Sequence, residues 1–135
     1  MTAILTYAAE TDGVHVEVRP SFLEHESAPD KSRYVWAYHI SIENRRDEEI
    51  QVISRYWRIT DRMGRQQEVS GEGVVGQQPI IAPGGRFTYS SGVPLAEPSG
   101  VMEGAYACLT ADGARLAVRI PLFSLDSPYD RSRAS

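Results

Sequence analysis

The segment Gly71-Glu72-Gly73-Val74-Val75-Gly76 has the spacing G-x-G-x-x-G, which can serve phosphate chemistry in two ways. Between a strand and a helix it lets a pyrophosphate meet the helix N-terminus. No helix can follow here, because Gln77-Gln78-Pro79 leads to a second proline at Pro83. Glu97, at about the right distance for a ribose contact, falls in the turn-like stretch Leu95 to Gly100, so a dinucleotide fold is set aside. The second way needs no helix: successive backbone N–H groups of a glycine-rich turn can form a nest around an anion. Such a nest would hold pyrophosphate or a nucleotide on Gly71, Gly73, Val74, Val75 and Gly76, assisted by Arg62, Arg65 or Arg86. Glu72 opposes it unless its carboxylate points away. The glycines also have a purely structural use, supplying positive φ and a close backbone crossing. Val74 and Val75, if exposed, would serve a protein contact.

No other residues assemble into a catalytic set. His15, His25 and His39 lie in separate segments, and neither Glu24-His25-Glu26 nor His15 with Glu17 has zinc or calcium spacing, so no metal site is expected. Cys108 alternates with Gly104 and Tyr106 in a strand-like run and reads as a small buried filler. Ser90-Ser91-Gly92 is a strand end rather than a nucleophile elbow. Asp47-Glu48-Glu49 follows Arg45-Arg46 in a charged hairpin connection, where solvated charge blunts an edge. General acid and base work needs enclosed carboxyls, and nothing here suggests enclosure. The expectation is a chain that is not an enzyme and holds no cofactor.

The elements that must position these residues have a period of two. Val14, Val16 and Val18 alternate with polar residues after the turn Thr11-Asp12-Gly13. Tyr34, Trp36, Tyr38, Ile40 and Ile42 make an aromatic and β-branched row, which favours strand. Ile50 to about Thr60 reads as a further strand with Ile53, Trp57 and Ile59 on the inward parity. Arg55 shares that parity, so either its guanidinium is buried with a partner or a bulge shifts the register nearby. A short strand from Arg65 to Val69 leads into the glycine loop. Phe87 to Gly92, Met102 to Thr110 and Arg115 to about Leu122 follow, the last two joined by Ala111-Asp112-Gly113, a hairpin signal. Seven or so short strands without a helical stripe predict an all-β protein, an antiparallel sandwich of immunoglobulin or fibronectin type III kind.

The chain has 135 residues, enough for one domain with its own core. Residues 1–125 are expected to form that domain and 126–135 a polar, frayed tail. A formal charge of -4 argues against a broad grip on nucleic acid or an anionic membrane, and no stretch approaches the about 20 apolar residues of a membrane span. Of the 14 cationic side chains only Lys31 is lysine, so almost every positive charge is a guanidinium suited to bidentate contact. Cys108 is the single cysteine, which excludes an internal disulfide, and the N-terminus lacks a basic signal region. A cytoplasmic setting is expected.

Six segments together resemble the ApaG family: Ala37 to Asn44, Ser54 to Asp61, Gly71 to Pro79, Ala82-Pro83-Gly84, Tyr89 to Gly92, and Pro98 to Tyr106. With the closing Ile120 to Leu125, the likeness extends over nearly the whole chain. The resemblance implies a fibronectin type III-like sandwich and a binding or adaptor module rather than an enzyme. Bacterial members are associated with cobalt resistance and magnesium efflux, and the domain also occurs in some eukaryotic F-box proteins and in a polymerase-interacting protein. It therefore implies a protein–protein interaction role, with a partner still to be identified, linked to divalent-cation homeostasis. The family's glycine loop, discussed as a pyrophosphate or nucleotide contact, maps onto Gly71, Gly73 and Gly76. At Tyr56 many relatives carry histidine, which removes one metal ligand.

Overall fold

In the computed structural model, residues 5–130 are described. They form nine strands: β1 Tyr7–Thr11, β2 Val14–Phe22, β3 Tyr34–Asn44, β4 Ile50–Asp61, β5 Gln66–Glu72, β6 Ile80–Ile81, β7 Arg86–Leu95, β8 Gly100–Thr110 and β9 Arg115–Leu125. Two single 3₁₀ turns, Glu24–Glu26 and Pro29–Lys31, lie between β2 and β3. One sheet has the order β1-β2-β3-β7, the other β5-β4-β8-β9 with β6 also on β4. All pairings are antiparallel, and the two sheets face each other as an immunoglobulin/fibronectin type III-like sandwich.

The alternation along the strands explains the core. Val14, Val16 and Val18 of β2 are fully buried, and Trp36, Tyr38, Ile40 and Ile42 of β3 are buried as well. They meet Ile50, Val52, Trp57 and Ile59 of β4 and Tyr106, Val118, Ile120 and Phe123 of the strands beyond. The rings of Tyr38, Trp57 and Phe123 lie edge-on or tilted, with centroids 5.3–6.0 Å apart, the arrangement aromatic quadrupoles favour. At one side of the sandwich β1 and β2 pack on β9, and Arg119 N donates to Thr11 Oγ1 at 3.1 Å. The opposite edges, β7 and β5, are not packed on one another in this way.

Two bulges break the simple alternation. In β4 the pairing steps from Val52↔Cys108 to Ser54↔Ala107, leaving Ile53 as the extra residue. Ile53 is consequently only half-buried, a correction to the inward row expected from sequence, whereas Trp57 and Ile59 beyond the bulge are buried. In β9 the step lies between Ile120 and Phe123, around Pro121, which has no N–H to give a ladder. The strand expected to end near Leu122 therefore resumes on the other parity and runs to Leu125.

The expectation of fraying from Asp126 onward is also corrected for residues 126–130. Trp36 Nε1 donates to the Asp126 carbonyl at 2.8 Å, Ser127 Oγ donates to the Pro98 carbonyl at 2.6 Å, and Tyr129 packs on Phe22 and Tyr34. Polar composition misled because the segment satisfies backbone and ring partners rather than an apolar face. Residues 131–135 lie outside the described residues.

Asn44 ends β3 and fixes the route of the chain that carries the glycine motif. It is fully buried, and its Nδ2 donates to the carbonyls of Glu48 and Ile81 at 2.8 and 2.9 Å. Its Oδ1 accepts from Arg46 N at 2.9 Å. Replacing Asn44 with Ala orphans these groups, and denaturant melts should show a loss of about 2–3 kcal/mol. An unchanged midpoint would mean that water replaces the amide without cost.

Candidate functional site

β5 and β6 run along the same edge of β4. β5 pairs with Ser54 to Thr60 and β6 with Ile50 and Gln51, so residues 73–79 are an excursion from one continuous edge, opposite the bulge. Gly71 and Glu72 remain in β5, a correction to a loop beginning at Gly71. The bulge supplies the anchor, because the Ile53 carbonyl accepts from Gly73 N at 2.7 Å and from Gln78 Nε2 at 2.9 Å. Val52 N donates to the Pro79 carbonyl at 3.0 Å. Both ends of the excursion are thereby tied to the same two residues of β4.

At its tip, Val74 N donates to the Gln77 carbonyl at 2.7 Å and Gln77 N returns a bond to the Val74 carbonyl at 3.0 Å. Val75 and Gly76, between them, have φ of 44° and 79°. Positive φ at both central residues is the requirement of a type I′ hairpin. Gly73 also has positive φ, 66°, and a Cβ there would sit 2.3 Å from the Gln77 carbonyl oxygen, so its glycine is demanded twice. Val74 is fully buried, which corrects the expectation of an exposed contact residue, since it closes the core beneath the turn. Val75 is 52% exposed and Ile80, at the foot of the excursion, 62%.

Two of the amides proposed for an anion nest are thus turned into the chain. Gly73 N and Val74 N, two of the five candidates, have protein acceptors, and the candidate arginines pair elsewhere. Arg62 and Arg65 follow the far end of β4, about 20 Å along the strand from Arg55. There Arg65 pairs with Asp61 at 3.2 Å and Glu97 at 3.1 Å, and Arg62 with Asp130 at 3.4 Å. Arg86 is on β7 in the other sheet, paired with Glu43 at 3.1 Å. It borders a groove of about 740 Å³ on that sheet's outer face with Arg19, His39 and Ser90.

The residue that does meet the glycine segment is Arg55. Its Nη1 donates to the carbonyls of Glu72 and Gly73 at 3.0 and 2.9 Å, and a Cβ on Gly71 would lie 2.8–2.9 Å from the guanidinium. Gly71 is therefore the floor on which the guanidinium lies flat. Both alternatives read from the sequence hold together: the register shifts at Ile53, and Arg55 turns inward with backbone partners. On the same inward layer Tyr106 is Arg55's register neighbour on β8. The hydroxyls of Tyr106 and Tyr89 are 2.5 Å apart. Ser91 is the register neighbour of Tyr38 on β7. Burial holds the phenols of Tyr38, Tyr89 and Tyr106 above the usual range, with the Arg55 charge opposing at Tyr38 and Tyr89. The sequence signal for this cluster was present in part, as an arginine on an apolar parity, but the convergence of three tyrosines needs the register of both sheets.

The remaining candidates are separate from this cluster. His15 lies 3.2 Å from Glu17 on the outer face, His39 Nδ1 lies 2.6 Å from Ser90 Oγ, and His25 is in the first 3₁₀ turn. Among the described residues no group of three His, Cys, Asp or Glu side chains could hold a metal ion. Cys108 is buried, and burial pushes its thiol up to about 12.

The comparisons with known proteins agree with one another. A family model described as the ApaG domain matches residues 24–110. Protein ApaG of Rhodospirillum centenum is 52% identical over 127 residues, spanning 94% of this chain and 98% of that protein. Protein ApaG of Parvibaculum lavamentivorans is 50% identical over 91% of this chain and 95% of its own length. Among solved structures, the crystal structure of the putative ApaA protein from Bordetella pertussis superimposes with a TM-score of 0.83 at 46% identity. That match covers 86% of this chain and 94% of the other.

Two outcomes follow from the geometry. Gly71→Ala should displace the guanidinium and cost about 2–3 kcal/mol, the worth of charge-assisted bonds, whereas in an Arg55→Met background the same change should cost far less. Equal costs in both backgrounds of this double-mutant cycle would show that the two residues do not interact. Cys108, whose raised pKa keeps it a thiol from about pH 7 to about pH 9, should resist iodoacetamide in the folded protein and react once denatured. Rapid alkylation of the folded chain would refute its burial.

Proposed function

The chain belongs to the ApaG family, and on that premise we propose that it is a noncatalytic binding module that presents the tip of the 73–79 excursion to a protein partner. The observation that carries this reading is Val75. A β-branched residue at φ 44° occupies a position suited to Asn or Gly, at a strain on the order of 1 kcal/mol. Its side chain is 52% exposed, so the strain is not offset by burial within the chain. Ile80, more exposed still, stands at the foot of the same excursion. A fixed apolar tip loses little entropy when a partner covers it.

The role in cobalt and magnesium homeostasis that the family resemblance implies would, on this reading, run through the partner rather than through a metal held by the chain. A cytoplasmic setting suits the single cysteine. Among the described residues no helix is long and apolar enough to cross a membrane. The alternative role, pyrophosphate or nucleotide held by the glycine amides, has less support. Gly73 N and Val74 N already have acceptors within the chain, and Arg62, Arg65 and Arg86 are paired elsewhere.

Val75→Asn tests the reading, because Asn-Gly is the preferred type I′ pair. The variant should be more stable by about 0.5–1 kcal/mol and yet retain markedly less partner when wild type and variant are used as matched baits. A Val75→Asn bait that keeps the same partners at the same yield would overturn the docking role of the tip.

A further inference from the structure

Arg55 carries more capacity than its structural bonds use. Only Nη1 is engaged, with the Glu72 and Gly73 carbonyls. Arg55 has no carboxylate partner among the described residues, unlike Arg45, Arg58, Arg62, Arg65 and Arg86. It is nevertheless half-buried, and a cation drawn out of water without a counter-ion is costly. Nε and Nη2 have no protein acceptor among the described residues, yet the only side-chain polar atom both buried and unpartnered among them is Arg46 Nε. Neither atom of the Nε–Nη2 edge of Arg55 is therefore completely sealed from solvent. That edge carries the two parallel N–H groups that grip an oxyanion side-on.

The surroundings suit an anion. The guanidinium is held flat by two carbonyls and by the absence of a side chain at Gly71, so little rotamer entropy is left to lose. Ser91 and the phenols of Tyr38, Tyr89 and Tyr106 share the layer between the sheets, on the side where β7 and β5 are not tightly packed on one another. Neutral hydroxyls can donate to an anion without repelling it.

We infer that the free Nε–Nη2 edge of Arg55, bordered by Ser91 and the tyrosine hydroxyls at the β5/β7 side of the sandwich, is a binding site for a small oxyanion, phosphate or carboxylate. The site uses none of the loop amides and does not depend on the docking role of Val75. The bound oxyanion supplies the counter-charge that the fold withholds from Arg55.

Titrating the intact protein with inorganic phosphate, and separately with acetate, at constant ionic strength tests this through the Arg55 Nε–Hε resonance. A saturable shift with a dissociation constant on the order of 1 mM, absent at the exposed Arg19 Nε–Hε, is expected for at least one anion. The tighter arm identifies the source chemistry. Ser91→Ala, which leaves the Arg55 bonds in place, should weaken binding severalfold, and Val75→Asn should leave it unchanged. Followed instead at the Ser91 backbone amide, which should saturate in parallel in the wild type, Arg55→Lys should show no saturation, and if that variant fails to fold, the Ser91→Ala comparison still decides. Shifts that rise linearly with both anions, or that match those at Arg19, would reduce the effect to general screening and overturn the site. Saturation unaffected by Ser91→Ala would place the anion elsewhere on the guanidinium and overturn the assignment to this layer.

Discussion

One extra residue in β4, Ile53, sets the geometry on which the candidate site depends. A strand without the bulge would keep Val52 and Ile53 on alternate faces all the way to Ile59 and would present Tyr56 rather than Arg55 to the core layer. With it, Val52 and Trp57 are both buried, Arg55 enters the inter-sheet layer beside Tyr106, and the Ile53 carbonyl is free to hold Gly73 and Gln78. Bulges commonly re-aim a side chain at the edge of a sheet. Here the same residue re-aims a cation and anchors the excursion that the cation then clamps through the Glu72 and Gly73 carbonyls.

This arrangement explains why the glycines stand where they do without invoking a phosphate. Gly71 leaves room for a guanidinium, Gly73 for the Gln77 carbonyl, and Gly76 supplies the second positive φ of the turn. Val75 alone breaks local preference. Positions where a chain departs from its own local rules are where function is most often found, and Val75 does so while exposed. Arg55 departs in a different way, as a half-buried cation with no carboxylate partner among the described residues. Arg55 meets the segment at the Glu72 and Gly73 carbonyls, whereas Val75 stands two residues further on, so the proposed anion and the proposed partner contact different residues.

Much of the sandwich was legible in the sequence because alternation reports directly which face is buried. The row Trp36, Tyr38, Ile40 and Ile42 is inward as its spacing demanded, and the Asp112-Gly113 turn joins β8 to β9. Period-two reasoning fails where the register itself changes, which is why Ile53 and the end of β9 were misplaced while the residues around them were not. The candidate site was less legible. The spacing of Gly71, Gly73 and Gly76 drew attention to the right segment, but the direction of an N–H is a property of the turn and not of composition. Val74 was expected outside because a short apolar pair in a loop gives no parity to follow. Arg62, Arg65 and Arg86 were grouped with the loop by sequence proximity and charge, and ion pairs with Asp130, Glu97 and Glu43 placed them elsewhere. Asp126 to Asp130 was misjudged because a docked segment held by backbone acceptors has no hydrophobic signature.

The central claim is that the Gly73 and Val74 amides of the glycine segment are engaged within the chain. Amide hydrogen exchange at Gly73 and Val74 measures this directly. The bonds to the Ile53 and Gln77 carbonyls predict protection comparable to that of the neighbouring β4 amides, unchanged by millimolar pyrophosphate. Exchange at the rate of an open loop, slowed only when pyrophosphate is added, would contradict the account and return the segment to the role of an anion nest.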